Sequence, residues 1–148
     1  MRFTGLLLLF TVKNVVNHLY DVGSLLKNEI NRLSMKYNLY EYISCIGYPC
    51  RSIVTLKNSE FFSDLELKTY IQQELMRSGI LWAAYHALSW SHKKKDILST
   101  INIFENIFKK INNYINHKKK LNNYIKGEIV KPVFRKVADF NSYIKNSY

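Results

Sequence analysis

The sequence has few residues that form disulfides or interrupt regular secondary structure. Its 148 residues include two cysteines, two prolines and five glycines. Cys45 and Cys50 are too few for a disulfide framework, and no second Cys or His pair lies near them to complete a zinc site. The apolar stretch at residues 6–10 is far too short to cross a bilayer. We therefore expect reduced thiols in a cytoplasmic protein with no metal and no membrane association.

Acidic residues are also scarce. Eleven Asp and Glu against 22 Lys and Arg give a net charge of +11. Residues 93–148 carry thirteen basic and four acidic residues, whereas residues 1–92 carry nine and seven. A basic half of this kind is typical of proteins that bind nucleic acid or an anionic surface. However, Lys, Asn, Ile and Tyr are jointly abundant, and no nucleic-acid motif accompanies the charge. A basic nucleic-acid-binding or partner-binding module without enzymatic activity is therefore kept as the alternative function.

What the sequence has is periodicity. Apolar residues make up 47% of the chain, enough for the core of one domain. Steps of four and three residues predict an amphipathic helix over residues 14–38, with Asn14 as its N-cap and Asn38 at its end. A capping box that begins at Ser63 predicts a second helix, which runs to about Ser78. These two segments predict helices that bury one face each.

Between and after these helices the pattern changes to that of strands. Residues 42–46 and 52–56 predict an antiparallel hairpin around a turn at residues 47–51, which contains Gly and Pro. A third strand is predicted to begin at residues 80–82, and a fourth segment at residues 87–90. The order of elements predicts an α+β fold in which a small antiparallel sheet packs against amphipathic helices.

The ends of the chain are predicted to be less regular. A last helix is predicted to start at Ser91 or His92, and Pro132 bars its continuation. Residues 1–13 are predicted to be an irregular or helix-start segment, and residues 138–148 a loose tail. The folded domain is therefore expected to span residues 14–137.

The chain has few of the patterns that carry catalysis. It has no Gly-rich phosphate loop, no Gly-x-Ser-x-Gly elbow and no His-Glu-x-x-His pair. Its carboxylates, Glu74 among them, fall where caps and exposed helix faces need them. One dense cluster, residues 79–92, holds two Trp, one Tyr, two His and two Ser. Either this cluster lines a pocket, or its Trp residues belong to the core while Ser91 and His92 cap the next helix.

Four stretches of the chain carry a resemblance to a known family. Residues 74–81 (Glu-Leu-Met-Arg-Ser-Gly-Ile-Leu), 85–92 (Tyr-His-Ala-Leu-Ser-Trp-Ser-His) and Asp96-Ile97 together resemble the late segment of class III pyridoxal-phosphate-dependent aminotransferases. In that segment, a helix ending in Arg-x-Gly precedes a strand, a substrate-cleft turn, a Ser-His pair and a helix opening on Asp-Ile. Three more stretches are similar to the family, at residues 14–23, 42–56 and 131–135. All four stretches occur in the order that the family has, and residues 131–135 match its glutamate-1-semialdehyde 2,1-aminomutase-like branch.

The resemblance implies the C-terminal small domain of a fold type I pyridoxal-phosphate enzyme. Family members bind the cofactor through a lysine and move an amino group between substrates or within one, as aminotransferases or aminomutases. The cofactor-binding residues lie in the large domain, upstream of anything matched here. The resemblance therefore implies no catalytic and no cofactor-binding residue in this chain, which alone would be inactive. The large domain would be missing or separately encoded, and homodimerisation would be possible.

The same resemblance implies which residues face the substrate. The family's small domain closes one side of the substrate cleft, and the turn at residues 83–86 would then bring Tyr85 and His86 to the substrate. Arg51, just after the hairpin turn, is a further candidate for binding a substrate carboxylate. The alternative for Arg51 is a salt bridge at the surface or at a domain interface.

Overall fold

The computed structural model of the protein describes residues 14–131. The predicted segments at residues 1–13 and 138–148, and the stretch at residues 132–135, lie outside the described residues. The described part is an α+β fold with three α-helices and one two-stranded antiparallel sheet, which confirms the predicted class at that level. Its elements are α1 (Val15–Lys36), β1 (Ile43–Tyr48), β2 (Arg51–Leu56), α2 (Asp64–Arg77), α3 (Lys94–Asn116) and a short 3-10 helix (Leu121–Tyr124).

The helix α1 follows the predicted apolar spacing. Asn14 is its N-cap residue, as predicted, but it has a φ of 48° and its side chain makes no capping hydrogen bond. At the other end, Asn38 has the expected left-handed conformation, with a φ of 55°. The amide of Leu39 donates to the carbonyl of Ser34 at 2.7 Å, which closes the last turn.

The hairpin is tighter than the sequence predicts. β1 and β2 pair from Ile43–Leu56 to Tyr48–Arg51, so only residues 49 and 50 form the turn. The predicted five-residue turn is wrong because Gly47, at a φ of 89°, continues the ladder opposite Ser52. The turn packs directly on α1, where a Cβ at Gly23 would overlap the Pro49 carbonyl. A glycine is therefore required at this contact.

Side chains from α1 cover the edge of β1 that does not pair with β2. Three polar residues on successive turns, Lys27, Asn31 and Ser34, bond the backbone groups that would otherwise face solvent. The bonds join Lys27 Nζ to Gly47 O (2.8 Å), Asn31 Nδ2 to Cys45 O (2.9 Å), Cys45 N to Asn31 Oδ1 (2.7 Å) and Ser34 Oγ to Ile43 O (2.6 Å). This edge is closed to further strand pairing, which is a common protection for a terminal strand.

α2 begins with the predicted capping box. Ser63 Oγ accepts from the amide of Glu66 at 3.2 Å, and the Glu66 carboxylate accepts from the amide of Ser63 at 2.7 Å. The helix ends at Arg77, and Gly79 then takes a φ of 80°. A glycine at this point ends the helix without strain.

The third strand predicted at residues 80–82 is wrong, as is the fourth at residues 87–90. The side chain of Trp82 is buried in the core, and its carbonyl accepts from Gln72 of α2 at 2.8 Å. These two contacts bind the start of the segment to the helices instead of the sheet. Further along, residues 84–88 run antiparallel to β2 with a single bridge, between Ile53 and Tyr85.

The helix α3 closes the core. It begins at Lys94, later than the predicted Ser91 or His92, and the carboxylate of Asp96 accepts from the Lys93 amide at 2.9 Å. Its apolar face is buried from Ile97 to Ile111, and Phe104 contacts Trp82 and Phe108 edge to face. Within residues 14–131, none of the helices combines the length and apolar character that crossing a bilayer demands.

Candidate functional site

The hairpin has two faces of opposite character. Side chains alternate between the faces of a strand, so the pairing fixes which residues share a side. The inner face is buried against the helices and carries Ile43, Cys45, Ser52 and Val54. The other side carries Ser44 and Thr55, whose hydroxyls are joined by a hydrogen bond of 2.6 Å, and, towards the turn, Ile46, Tyr48, Arg51 and Ile53. These last four residues, together with Tyr85 on the adjoining segment, are here called the outer face.

The outer face is apolar and exposed. Ile46, Ile53 and Tyr85 are each 50% exposed, and Tyr48 is 82% exposed. Ile46 and Ile53 are directly paired across the hairpin, and Ile53 is bridged to Tyr85, so the three side chains are contiguous. Contiguous exposed apolar side chains are typical of surfaces that contact another protein or a ligand.

The structure separates two of the residues that the resemblance assigns to the substrate cleft. Tyr85 and His86 are neighbours in an extended segment, so their side chains point to opposite faces. Tyr85 lies on the outer face, whereas His86 is 7% exposed and points into the core. Arg51 is exposed on the outer face, two residues along β2 from Ile53, the bridge partner of Tyr85. The structure thus brings Arg51 and Tyr85 to one surface and places the His86 ring behind it.

The His86 ring belongs to a buried chain of hydrogen bonds. Trp82 Nε1 donates to His86 Nε2 at 3.2 Å, so this ring nitrogen carries no proton. The other nitrogen, Nδ1, lies 2.9 Å from the hydroxyl of Ser52 and is then the donor. Burial lowers the pKa of His86 to about 4, so the ring is neutral at physiological pH. These hydrogen bonds join the segment that contains Tyr85 to β2 on the side opposite the outer face.

The predicted cluster at residues 79–92 divides between core and surface. Trp82 is buried and Trp90 is half-buried, with the His18 ring packed edge to face at 4.7 Å between centroids. The His92 ring accepts a hydrogen bond from the amide of Ser89 at 2.9 Å, which closes the turn that precedes α3. The segment lines one small cavity of about 130 Å³. This volume is below the roughly 300 Å³ at which typical ligand pockets begin.

A buried carboxylate was missed by the sequence interpretation. Glu74, expected on an exposed helix face, is buried, and its two oxygens are bound by Arg77 and, at 2.7 Å, by Lys110 of α3. Burial on its own raises the pKa of Glu74, but hydrogen bonds from Lys110, Gln73 and Arg77 outweigh it and hold the pKa below its usual value. The Glu74–Arg77 spacing of three was the available signal, whereas Lys110 is brought in only by the packing of α3.

The described residues do not fit a site for pyridoxal phosphate. Its attachment needs a lysine held in an enclosed site together with groups that bind the phosphate. Every lysine between residues 14 and 131 is exposed or half-buried. In the same part of the chain, no cluster of His, Cys, Asp or Glu is arranged to hold a metal ion. Cys45 is buried and Cys50 is exposed, and both are free thiols.

The chain was compared with family models, with curated proteins and with solved structures. No family model, no curated protein and no solved structure matches it.

Proposed function

We propose that this chain acts as the C-terminal small domain of a class III pyridoxal-phosphate-dependent aminotransferase or aminomutase, of the glutamate-1-semialdehyde aminomutase-like branch. In this proposal the chain closes one side of the substrate cleft. The large domain supplies the cofactor and its lysine. Tyr85 and Arg51 face the cleft or the domain boundary, and His86 supports Tyr85 from behind.

The outer face is the observation that carries the proposal. A domain that works alone buries its apolar strand faces, yet here one face of the hairpin leaves Ile46, Ile53 and Tyr85 half exposed. A small domain that packs on a larger one needs such a surface. The segment that resembles the family's substrate-cleft turn contributes Tyr85 to this surface, and the resembling hairpin contributes Arg51.

The alternative, a nucleic-acid-binding module, has less support. Its strongest feature is the exposed run of lysines at residues 118–120. Several other lysines are already engaged within the chain: Lys110 binds Glu74, Lys36 binds Glu105 at 2.6 Å, and Lys93 lies over the Trp90 ring at 4.9 Å. The remaining basic residues are not gathered on one face of α3 in the manner of a groove-binding helix.

The proposal is tested by co-expression with the large domain of a glutamate-1-semialdehyde aminomutase-like enzyme that lacks its own small domain. We expect a stable one-to-one complex that retains the cofactor and catalyses transamination, while the large domain alone does not. Ile53→Lys is expected to weaken the complex at least tenfold, since it places a charge in the middle of the outer face. Met76→Lys on α2 is the matched control, because Met76 is 59% exposed and lies outside the outer face.

A second experiment tests whether the isolated chain binds the cofactor by itself. The purified full chain is mixed with pyridoxal phosphate, reduced with borohydride and weighed by mass spectrometry. We expect an unchanged mass or scattered low-level labelling of lysines. Stoichiometric reduction onto one lysine would contradict the proposal, because the chain would then build its own cofactor site.

A further inference from the structure

The two edges of the β layer are treated differently by the fold. The edge of β1 is closed by the side chains of Lys27, Asn31 and Ser34. The opposite edge is formed by residues 84–88, which make two backbone hydrogen bonds to β2 and one to the turn residue Cys50. These contacts join Val54 N to Ala84 O (2.8 Å), His86 N to Ser52 O (2.8 Å) and Leu88 N to Cys50 O (3.1 Å).

This pattern directs the backbone of Tyr85 and Ala87 away from β2. In an antiparallel pair, alternate residues point their N–H and C=O groups to opposite sides. Since Ala84 and His86 bond to β2 and Leu88 bonds to Cys50 next to it, the groups of Tyr85 and Ala87 face outward. Between residues 14 and 131, no group hydrogen-bonds the amide or carbonyl of either residue. These four backbone groups are here called the open edge.

The open edge adjoins the outer face. Tyr85 belongs to both, and Ala87 is also exposed. An extended peptide that pairs with such an edge gains main-chain hydrogen bonds, and its alternate side chains contact the neighbouring face. An extended peptide at the open edge can therefore pair with the backbone of Tyr85 and Ala87 and pack a side chain beside Tyr85 on the outer face.

The charge of the surface indicates what that occupant carries. Arg51 is the charged residue of the outer face, which includes no Asp or Glu among its described members. A second copy of this chain, docked face to face, would bring a second Arg51 and no carboxylate to bind it. An occupant with a carboxylate opposite Arg51 is complementary, and it must come from a different surface.

We propose that a segment of the large-domain partner adds to the sheet as a strand at the open edge and places a carboxylate against Arg51. This inference rests on the proposed function for the identity of the partner. It goes beyond that function by naming the contact, which is main-chain pairing with Tyr85 and Ala87 together with one ion pair.

The experiment measures hydrogen exchange of the Tyr85 and Ala87 amides by NMR, in the free full chain and in its complex with the large-domain partner described above. We expect both amides to exchange at least tenfold more slowly in the complex, because pairing removes them from water.

Ala87→Pro removes one donor of the open edge and is expected to weaken the complex about tenfold, with folding checked by circular dichroism. Arg51→Glu is expected to weaken it similarly, whereas the control Lys57→Glu, an exposed cation just beyond β2, changes it less than twofold.

Four results would overturn the inference. A complex whose Tyr85 and Ala87 amides exchange as in the free chain would overturn strand addition and leave the proposed function standing. Failure of the wild-type chain to bind the large domain would overturn both. Protection of these amides already in the free monomer would mean that another segment of this chain covers the edge. Protection that appears only with concentration-dependent dimerisation would mean that a second copy does.

Discussion

The inner and outer faces of the hairpin lie within one pair of strands, yet residues 14–131 bury only the inner face. On the inner face, polar groups have partners inside the chain, as the bonds of Ser52 and Trp82 to His86 illustrate. On the outer face, Ile46 and Ile53 are half exposed, and Arg51 forms no ion pair within residues 14–131. The contrast teaches that the inner face contributes to stability, whereas the outer face stays available for the partner binding proposed above. Substitutions should therefore separate the two properties.

The largest effect is expected when the inner face is forced to hold a charge. The pKa of His86 is about 4 in the folded chain, below its usual value of 6.5, because the buried ring resists protonation. The unfolded chain therefore binds more protons than the folded chain between these values. The free energy of unfolding therefore keeps its full value above about pH 6.5, and it falls by about 3 kcal/mol as the pH drops to about 4.

Urea unfolding of the full chain at pH 7, 5.5 and 4.5 measures this loss. His86→Gln offers an uncharged replacement, and we expect its stability to change little over the same pH range, although it is lower at pH 7. His117→Gln, at an exposed position, is the matched control and should retain the wild-type pH dependence. Equal pH dependence in wild type and His86→Gln would contradict a buried neutral imidazole.

The closed edge of β1 should be the next most sensitive feature. Asn31→Ala removes a side chain that binds both the amide and the carbonyl of Cys45. Leaving these backbone groups without partners is expected to lower the free energy of unfolding by about 2 kcal/mol. Asn28→Ala, on the exposed side of the same helix, is the control and should change it by less than about 0.5 kcal/mol. Equal effects of the two substitutions in urea unfolding would show that the edge contacts contribute nothing.

The same comparison explains how far the sequence could be interpreted. Local signals predicted the helices, the capping box at Ser63 and the helix end at Asn38 correctly, because each depends on neighbours a few positions away. The predictions failed where distant packing decides. The carbonyl of Trp82 is bound by α2, which prevents a strand at residues 80–82.

The candidate site shows the same division. The resemblance named Tyr85, His86 and Arg51, but strand alternation decides which of them share a surface, and that required the register of residues 84–88 against β2. Glu74 was misassigned for a similar reason. Its second cation, Lys110, lies 36 positions away in the sequence and is brought to it by helix packing.

The sharpest test of the comparison sets two neighbouring residues of β2 against each other, and the smallest effect on stability is expected at the outer one. Val54 lies on the inner face at 3% exposure, and Ile53 lies on the outer face at 50%. Val54→Ala should lower the free energy of unfolding by about 2 kcal/mol, since it removes buried methyl groups and leaves a cavity. Ile53→Ala removes more atoms but should lower it by less than about 1 kcal/mol, because half of its side chain is already in water. Urea unfolding of both variants decides the matter: a larger loss for Ile53→Ala would mean that the outer face is covered within the chain and is not free for a partner.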